Sequence, residues 1–368
     1  MNIERVKLYN FRNYRQFDFT FTNGVHIFTG NNAQGKTNLL EAIFLAVLGK
    51  SFRAGNDDEM IFWDQEAAIV EIDFSNIIAG HSLKIELIRN EKRKNTLNGK
   101  NINKRDIVGQ LNAVLFCPED LWLIKGGPVL RRRFIDFLIS QVDKKYYQDY
   151  IRFNRVILQR NNLLKKINLN LAKIKQLDIW DDELIALSEK IFIRRKEFLI
   201  VLSDIAGKIY TKISCGAERF SSHYSVFGID EGFKDDDTYR VWYQNRLSVA
   251  RQREIVRGST EVGPHKDDIS FRFDEHEAKL FGSQGQQRTA ILALKLAEIE
   301  LMTQITGEKP ILLLDDVMSE LDEFRRRRLI QEINGNIQTF ITGTVKETTL
   351  EQVKATFYSV SEGKVSLN

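Results

Sequence analysis

Cysteine is scarce. The chain of 368 residues has 2, Cys117 and Cys215, far apart and in no CxxC spacing. That excludes a disulfide framework, a thiolate zinc site and a dithiol redox motif. The 5 histidines (His26, His81, His223, His265 and His276) are scattered, so no HExxH or related cluster exists and a metal site built by the protein alone is not expected. Proline numbers only 4 and no segment is of low complexity, which argues against disordered linkers and collagen-like repeats. No run of ~18 uncharged apolar residues occurs, and Met1-Asn2-Ile3-Glu4-Arg5 lacks an apolar signal core. A cytoplasmic chain without a membrane span is expected.

What is present is a core-forming composition, 43% hydrophobic and 28% charged, in a chain long enough for at least two lobes. Net charge is only +4, yet 17 Lys/Arg face 8 Asp/Glu between Leu121 and Lys196, so the rest of the chain is net acidic. Residues 1–117 are strand-rich, with alternating or β-branched patterns at Phe17–Phe21, Val25–Thr29, Ala68–Phe74 and Leu83–Ile88, a hairpin signal at Asn98-Gly99, and one helix at Lys36–Leu48. Residues 118–261 show helical period. Val142, Tyr146, Tyr150, Phe153 and Ile157 make one stripe; Leu184, Leu187, Ile191, Phe198 and Leu202 make another, with Asp178, Asp181 and Asp182 between them as candidate caps. An antiparallel helix pair is expected there. Residues 262–368 return to strands, at Asp268–Phe273, Ile311–Leu314 and Thr339–Thr342, around a helix at Gln284–Met302. Near-continuous apolar strands with a helix between them predict a parallel sheet covered on both faces.

Gly30-Asn31-Asn32-Ala33-Gln34-Gly35-Lys36-Thr37 matches GxxxxGK[ST] between an apolar strand and a helix, the context that motif requires. Glycines let the backbone approach phosphates, Lys36 would reach the β/γ-phosphates, and the Thr37 hydroxyl would bind Mg²⁺. Ile311-Leu312-Leu313-Leu314-Asp315-Asp316 is a buried strand delivering carboxylates to the ligand edge. Two adjacent acids repel unless a cation or a catalytic role offsets them. Asp315 is assigned to the Mg²⁺ shell and Asp316 to orienting the attacking water. Gly282-Ser283-Gln284-Gly285-Gln286-Gln287-Arg288 opens a helix with small and polar groups, a second anion site. Arg131, Arg132, Arg133, Lys144, Lys145, Arg152, Arg155, Arg160, Lys165 and Lys166 supply cations for DNA phosphates, with no base-reading motif beside them. Arg325–Arg328 is a second basic candidate.

In register with the other two motifs, the Ser283 segment resembles the LSGGQ signature of ABC-type ATPases, and Ser319-Glu320-Leu321-Asp322 stands where they carry the D-loop. Adding Asn10-Phe11-Arg12-Asn13-Tyr14, Gly126-Gly127-Pro128 and Gly263-Pro264-His265-Lys266-Asp267-Asp268, the series is similar to the RecF family of bacterial recombination-mediator ATPases, in order from residue 10 to 322.

The resemblance implies an α/β fold: a P-loop ABC/SMC-like ATPase head of mixed sheets around helices, with an inserted α-helical lobe at 118–261 and no long coiled coil. It implies ATP and Mg²⁺ as cofactors, an ATP-dependent homodimer, DNA binding, and work with RecO and RecR at gaps and stalled forks. Arg12 would contact nucleotide phosphate, Ser283, Gly285 and Gln286 would meet the partner protomer's nucleotide, and Ser319 and Asp322 would lie at the dimer interface. Asp316 replaces the glutamate of most relatives, no histidine stands in Phe340–Thr344, and no Q-loop glutamine follows Phe116, so hydrolysis is expected to be slow. Two other functions compete. A transporter-type ATPase subunit powering a membrane or other partner fits the long basic helices poorly. A small-molecule P-loop kinase leaves the signature and D-loop unexplained.

Overall fold

The computed structural model describes residues 1–216, 218–229, 237–333, 337–343 and 354–367. They form two compact units. One comprises Met1–Leu121, Ile209–Gly216 and Gln284–Asn368; the other comprises Trp122–Lys208 and Ala217–Ser283.

The first unit carries two six-stranded sheets. In the first, the central strands Val25–Thr29, Thr339–Gly343, Ile311–Asp315 and Ala113–Phe116 run parallel; Ala355–Ser361 joins on the other side, and Lys364–Leu367 closes that edge antiparallel. Ile311–Asp315 is buried at all 5 positions, as a parallel strand with covered faces must be. Helix Lys36–Leu48 buries every residue except Thr37 and Asn38, consistent with a helix that is apolar nearly all round. Gly49, at a φ of 63°, ends it by donating its amide to the Leu45 carbonyl.

The second sheet of this unit is antiparallel, ordered Tyr14–Thr20, Asn2–Phe11, Ala67–Ser75, Gly80–Ile88, Lys94–Leu97, Lys100–Asn101. Strand Ala67–Ser75 alternates between half-buried and buried residues over its whole length, the pattern of a sheet with one face packed. The Asn98-Gly99 turn forms as expected, with φ of 50° and 76° at the two positions.

The second unit contains helices Pro128–Val142, Lys144–Asn168, Leu177–Ile213 (to Lys208) and Asp237–Arg257, with a three-stranded sheet ordered His276–Glu277, Asp268–Phe273, Phe220–Ser225. Three expectations are corrected here. The lobe boundary drawn after residue 261 falls after Ser283, because strand Asp268–Phe273 pairs with Phe220–Ser225 and not with the ATPase sheets. The antiparallel pair gains a third helix, Asp237–Arg257. Finally, Asp178 and Asp181 are ion-pair partners of Arg251 rather than caps, and Asp181 also holds Arg160.

Candidate nucleotide site

The phosphate loop runs from Gly30 to Gly35 between the central strand Val25–Thr29 and helix Lys36–Leu48, in the first unit. Ala33 and Gly35 take φ of 63° and 112°, which the loop needs to turn its backbone into the helix. Two glycines are dictated by close approach. A Cβ at Gly30 would lie 2.2 Å from the Val360 carbonyl oxygen, and one at Gly35 would lie 2.5 Å from Asn13 Nδ2.

The loop is braced from two sides that sequence reasoning missed. Asn13 donates Nδ2 to the Gln34 carbonyl at 2.9 Å and accepts from Asn38 Nδ2 at 2.8 Å, while the Tyr14 hydroxyl donates to the Gly35 carbonyl at 3.0 Å. From the carboxyl-terminal hairpin, the Gly363 amide donates to the Gln34 carbonyl at 3.1 Å and the Glu362 amide to Gln34 Oε1 at 2.6 Å.

Lys36 Nζ donates to the carbonyls of Gly30 (2.7 Å) and Asn31 (2.8 Å). Desolvation lowers its pKa, and the negative charges of Asp316 and Asp315 partly restore it. Thr37 Oγ1 donates to Asp315 Oδ1 at 2.8 Å, and Thr342 Oγ1 donates to the same oxygen at 2.7 Å. Burial raises the Asp315 pKa against these two donors, with Arg53 lowering it and Glu119 raising it through their charges. Asp316 sits at a φ of 54°, its amide donating to Thr342 Oγ1 at 3.1 Å; its pKa is raised by desolvation, then lowered by Lys36. The structure thus brings Lys36, Thr37, Asp315 and Asp316 together at one sheet edge. Arg53 and Glu119 join them, the latter because strand Ala113–Phe116 lies beside Ile311–Asp315 in register.

Among the described residues no group of three His, Cys, Asp or Glu side chains is arranged to hold a metal by itself. Thr37 and Asp315 instead fit a Mg²⁺ whose other ligands are phosphate oxygens and water. Gly35, at a φ of 112°, lets the loop turn into the helix start, where backbone amides suit a phosphate chain.

Arg12 lies beside this site at a φ of 53°, but its guanidinium is engaged. Nε and Nη2 donate to Glu41 at 2.8 and 2.7 Å, and Nη1 donates to the Glu59 carbonyl at 2.6 Å. Of five N–H groups, two are left for a phosphate.

Ser283 is exposed and immediately precedes helix Gln284–Thr306. The Gly285 carbonyl accepts from Arg325 Nη2 at 2.9 Å and Thr289 Oγ1 at 2.8 Å, and Gln286 is half-buried. Ser319 donates its hydroxyl to the Asp316 carbonyl at 2.8 Å, and Asp322 accepts the Arg325 amide at 2.9 Å, capping helix Glu323–Ile333. Arg325 is therefore a brace between the signature and D-loop segments, not a free cation for DNA. Thr344 lies outside the described residues.

The family described as the RecF/RecN/SMC N terminal domain matches residues 2–366. The DNA replication and repair protein RecF of Lactobacillus acidophilus is 41% identical over 380 residues, covering 100% of this chain and 99% of its own. That of Lysinibacillus sphaericus is 39% identical over 374 residues, 99% of each. The chain belongs to the RecF family. Its fold agrees: a solved structure titled recombination mediator protein RecF-ATP in RecFOR pathway superposes with a TM-score of 0.92 at 34% identity, covering 100% of this chain and 97% of that one. An Smc head bound to a winged-helix domain of ScpA superposes at 0.58 with 16% identity, which shows the head fold alone.

The RecF-family helical unit alters the expected DNA contacts. Arg131 is buried, donating Nε and Nη2 to Asp268 at 2.8 and 2.9 Å and Nη1 to the carbonyls of Leu123 and Gly126. Arg132 donates to the Asp267 carbonyl at 2.5 Å, and desolvation lowers its pKa. Arg160 is fully buried between Asp181 and Glu254, both at 2.7 Å. Arg131 and Arg160 are withdrawn from any DNA surface, because a buried guanidinium needs the carboxylates that hold it, while Arg132 is half-buried and tied to a backbone carbonyl. Arg133 is exposed and stacks over the Phe137 ring. Arg152 is exposed but paired with Glu183 at 2.5 Å. Lys144 and Lys145 remain exposed, in the first turn of helix Lys144–Asn168.

Proposed function

We propose that the chain is an ATP-switched DNA-binding protein of recombinational repair and replication restart, a slow, Mg²⁺-dependent and DNA-stimulated ATPase that clamps DNA as a homodimer. The observation that carries this reading is the hydrogen-bonded line Thr37–Asp315–Thr342–Asp316 beside the phosphate loop. When bound, ATP supplies the phosphoryl group and Mg²⁺ the charge that offsets its phosphates. Lys36 would leave the Gly30 and Asn31 carbonyls for the β/γ-phosphate oxygens. Thr37 and Asp315 would hold the cation, and Asp316 would orient a water and accept its proton. Thr342 keeps both acids in place.

Ser283, Gly285 and Gln286 would act on the partner protomer's nucleotide, with Ser319 and Asp322 at the same interface. The relatives' place in a RecFOR pathway supports RecO and RecR as partners, and a DNA substrate supports a cytoplasmic location. DNA contact through phosphates, by Lys144, Lys145, Arg133 and Arg152, makes binding respond to DNA form more than to sequence. Analytical ultracentrifugation with and without ATP and a short duplex tests the reading. A dimer on DNA only with ATP is expected; an ATP-indifferent monomer sinks it.

A further inference from the structure

The antiparallel sheet of the first unit ends at the two-residue strand Lys100–Asn101, the last in its strand order. Residues 84–106, which include the final two strands and their turns, hold 8 Lys/Arg against 3 Asp/Glu. That surplus of five exceeds the +4 of the whole chain, in a segment outside the basic helical region.

The structure divides these cations into two kinds. Arg93 is used internally: its side chain is 6% exposed, pairs with Asp57 at 3.1 Å and donates to the Gly49 carbonyl at 2.5 Å. Arg89 donates to the Gln65 carbonyl at 3.1 Å, and Lys84 stands opposite Glu71 in the strand register. Lys92, Lys94, Lys100, Lys104 and Arg105 are exposed. Of these, Lys94 stands opposite Glu86 in the register, and Arg105 has Asp106 at 3.9 Å. The pKa of Lys104 is lowered by desolvation and then by the charge of Arg93, with Asp57 raising it.

Lysines on an edge strand commonly block pairing with another chain's strand. That accounts for Lys94 and Lys100. It does not account for Lys92, in the turn before Lys94–Leu97, or for Lys104 and Arg105, in the short 3-10 turn Lys104–Asp106. Strand Lys94–Leu97 spans about 10 Å, which matches roughly three phosphates of one DNA strand measured along the helix axis. Between the cations stand Asn98, Asn101 and Asn103, with no aromatic side chain to stack on a base.

We propose that this edge, formed by Lys92, Lys94, Lys100, Lys104 and Arg105, is a second phosphodiester-binding surface of the protein, contacting the DNA backbone. The inference rests on the DNA-binding reading above and adds a site on the ATPase unit to the cations of the helical unit.

The test is fluorescence anisotropy of a short labelled duplex with the full-length protein, across a salt series. Lys92→Gln, Lys100→Gln and Lys104→Gln combined should flatten the log–log salt slope by about 2 to 3 and weaken binding at least tenfold at physiological salt, since each lost contact removes about 0.9 from the slope. The ATP-induced rise in melting temperature should stay as in wild type. Equal slopes for a salt-dependent wild type and this variant would overturn the edge inference and leave the DNA reading standing. A wild type without salt-dependent duplex affinity would overturn the DNA reading, and the edge with it. Should the triple variant aggregate, Lys92→Gln and Lys104→Gln, which lie off the strands, must each flatten the slope by about one, and the triple Lys→Arg variant must retain it. If poly-glutamate competes for the edge better than duplex does at equal charge, the partner is an acidic protein and the DNA assignment fails.

Discussion

The hydroxyl of Thr342 donates to Asp315 Oδ1 at 2.7 Å, and its oxygen accepts the amide of Asp316 at 3.1 Å. Transporter-type ATPases keep a histidine near this position. Here an uncharged side chain does a different job, fixing both acids while offering no charge to a γ-phosphate. Thr37 approaches the same Oδ1 from the phosphate-loop helix, so two donors meet on one carboxylate oxygen of a group that desolvation pushes toward its protonated form.

Thr342→Val should weaken Mg²⁺ binding. Removing a hydrogen bond to a charged group costs about 1.5–3 kcal/mol, so the Mg²⁺ midpoint for ATP hydrolysis should rise roughly tenfold or more. Because Thr342 lowers the Asp315 pKa, its loss raises that pKa further, and the defect should deepen as pH falls. Mg²⁺ titrations at two pH values check this. An unchanged midpoint would reduce Thr342 to a packing residue.

Lys36→Met should abolish the ATP-induced rise in melting temperature while leaving the apo protein as stable as wild type or slightly more so. The ammonium is partly desolvated, and its pKa is lowered for that reason, so its charge carries a cost in the absence of phosphate. Scanning calorimetry with and without ATP reads both effects. A wild-type ATP response would remove Lys36 from the phosphate site.

Asp316→Asn should keep ATP binding and nearly stop hydrolysis, because asparagine tolerates the left-handed backbone at this position and differs only in charge. An ATP-bound dimer should accumulate in sedimentation runs. Normal steady-state turnover would move the water-orienting role to Glu320, which already exerts its charge on Asp316.

Local features of this chain were legible because local chemistry decides them. Helix Lys36–Leu48 is legible as a helix of about these bounds, and the structure places Gly35 and Gly49 at its two ends. Strand Asp268–Phe273 is visible in its own alternation, but its partner Phe220–Ser225 is serine-rich and has no apolar run, so nothing local marks the sheet it joins. Helix Asp237–Arg257 carries Tyr239, Tyr243, Leu247 and Ala250 at spacings of 4, 4 and 3, a signal present but masked by arginines. Sign of charge is visible in sequence; burial of charge is not. Arg131 and Arg160 find carboxylates 137 and 94 residues away, and only the fold brings those together.

The helical unit supplies the last prediction, in which Arg131 and the Lys144–Lys145 pair should behave oppositely. Arg131 spans helix Pro128–Val142 and strand Asp268–Phe273 through Asp268, whose side chain is 33% exposed, and also ties down the Leu123 and Gly126 carbonyls. Breaking a buried pair costs about 3–5 kcal/mol, and the partial exposure of Asp268 brings the expectation for Arg131→Gln to about 2–3 kcal/mol. Its DNA salt slope should not change. Lys144 and Lys145 occupy the first turn of their helix, where positive charge opposes the helix dipole by about 0.3–1 kcal/mol each. Removing them should cost no stability. Lys144→Gln with Lys145→Gln should therefore melt at or slightly above the wild-type temperature while flattening the salt slope by about 2. Urea unfolding and duplex titrations on both variants decide the matter: a stable Arg131→Gln protein with a flattened slope, beside a lysine variant with an unchanged slope, would return the DNA surface to Arg131.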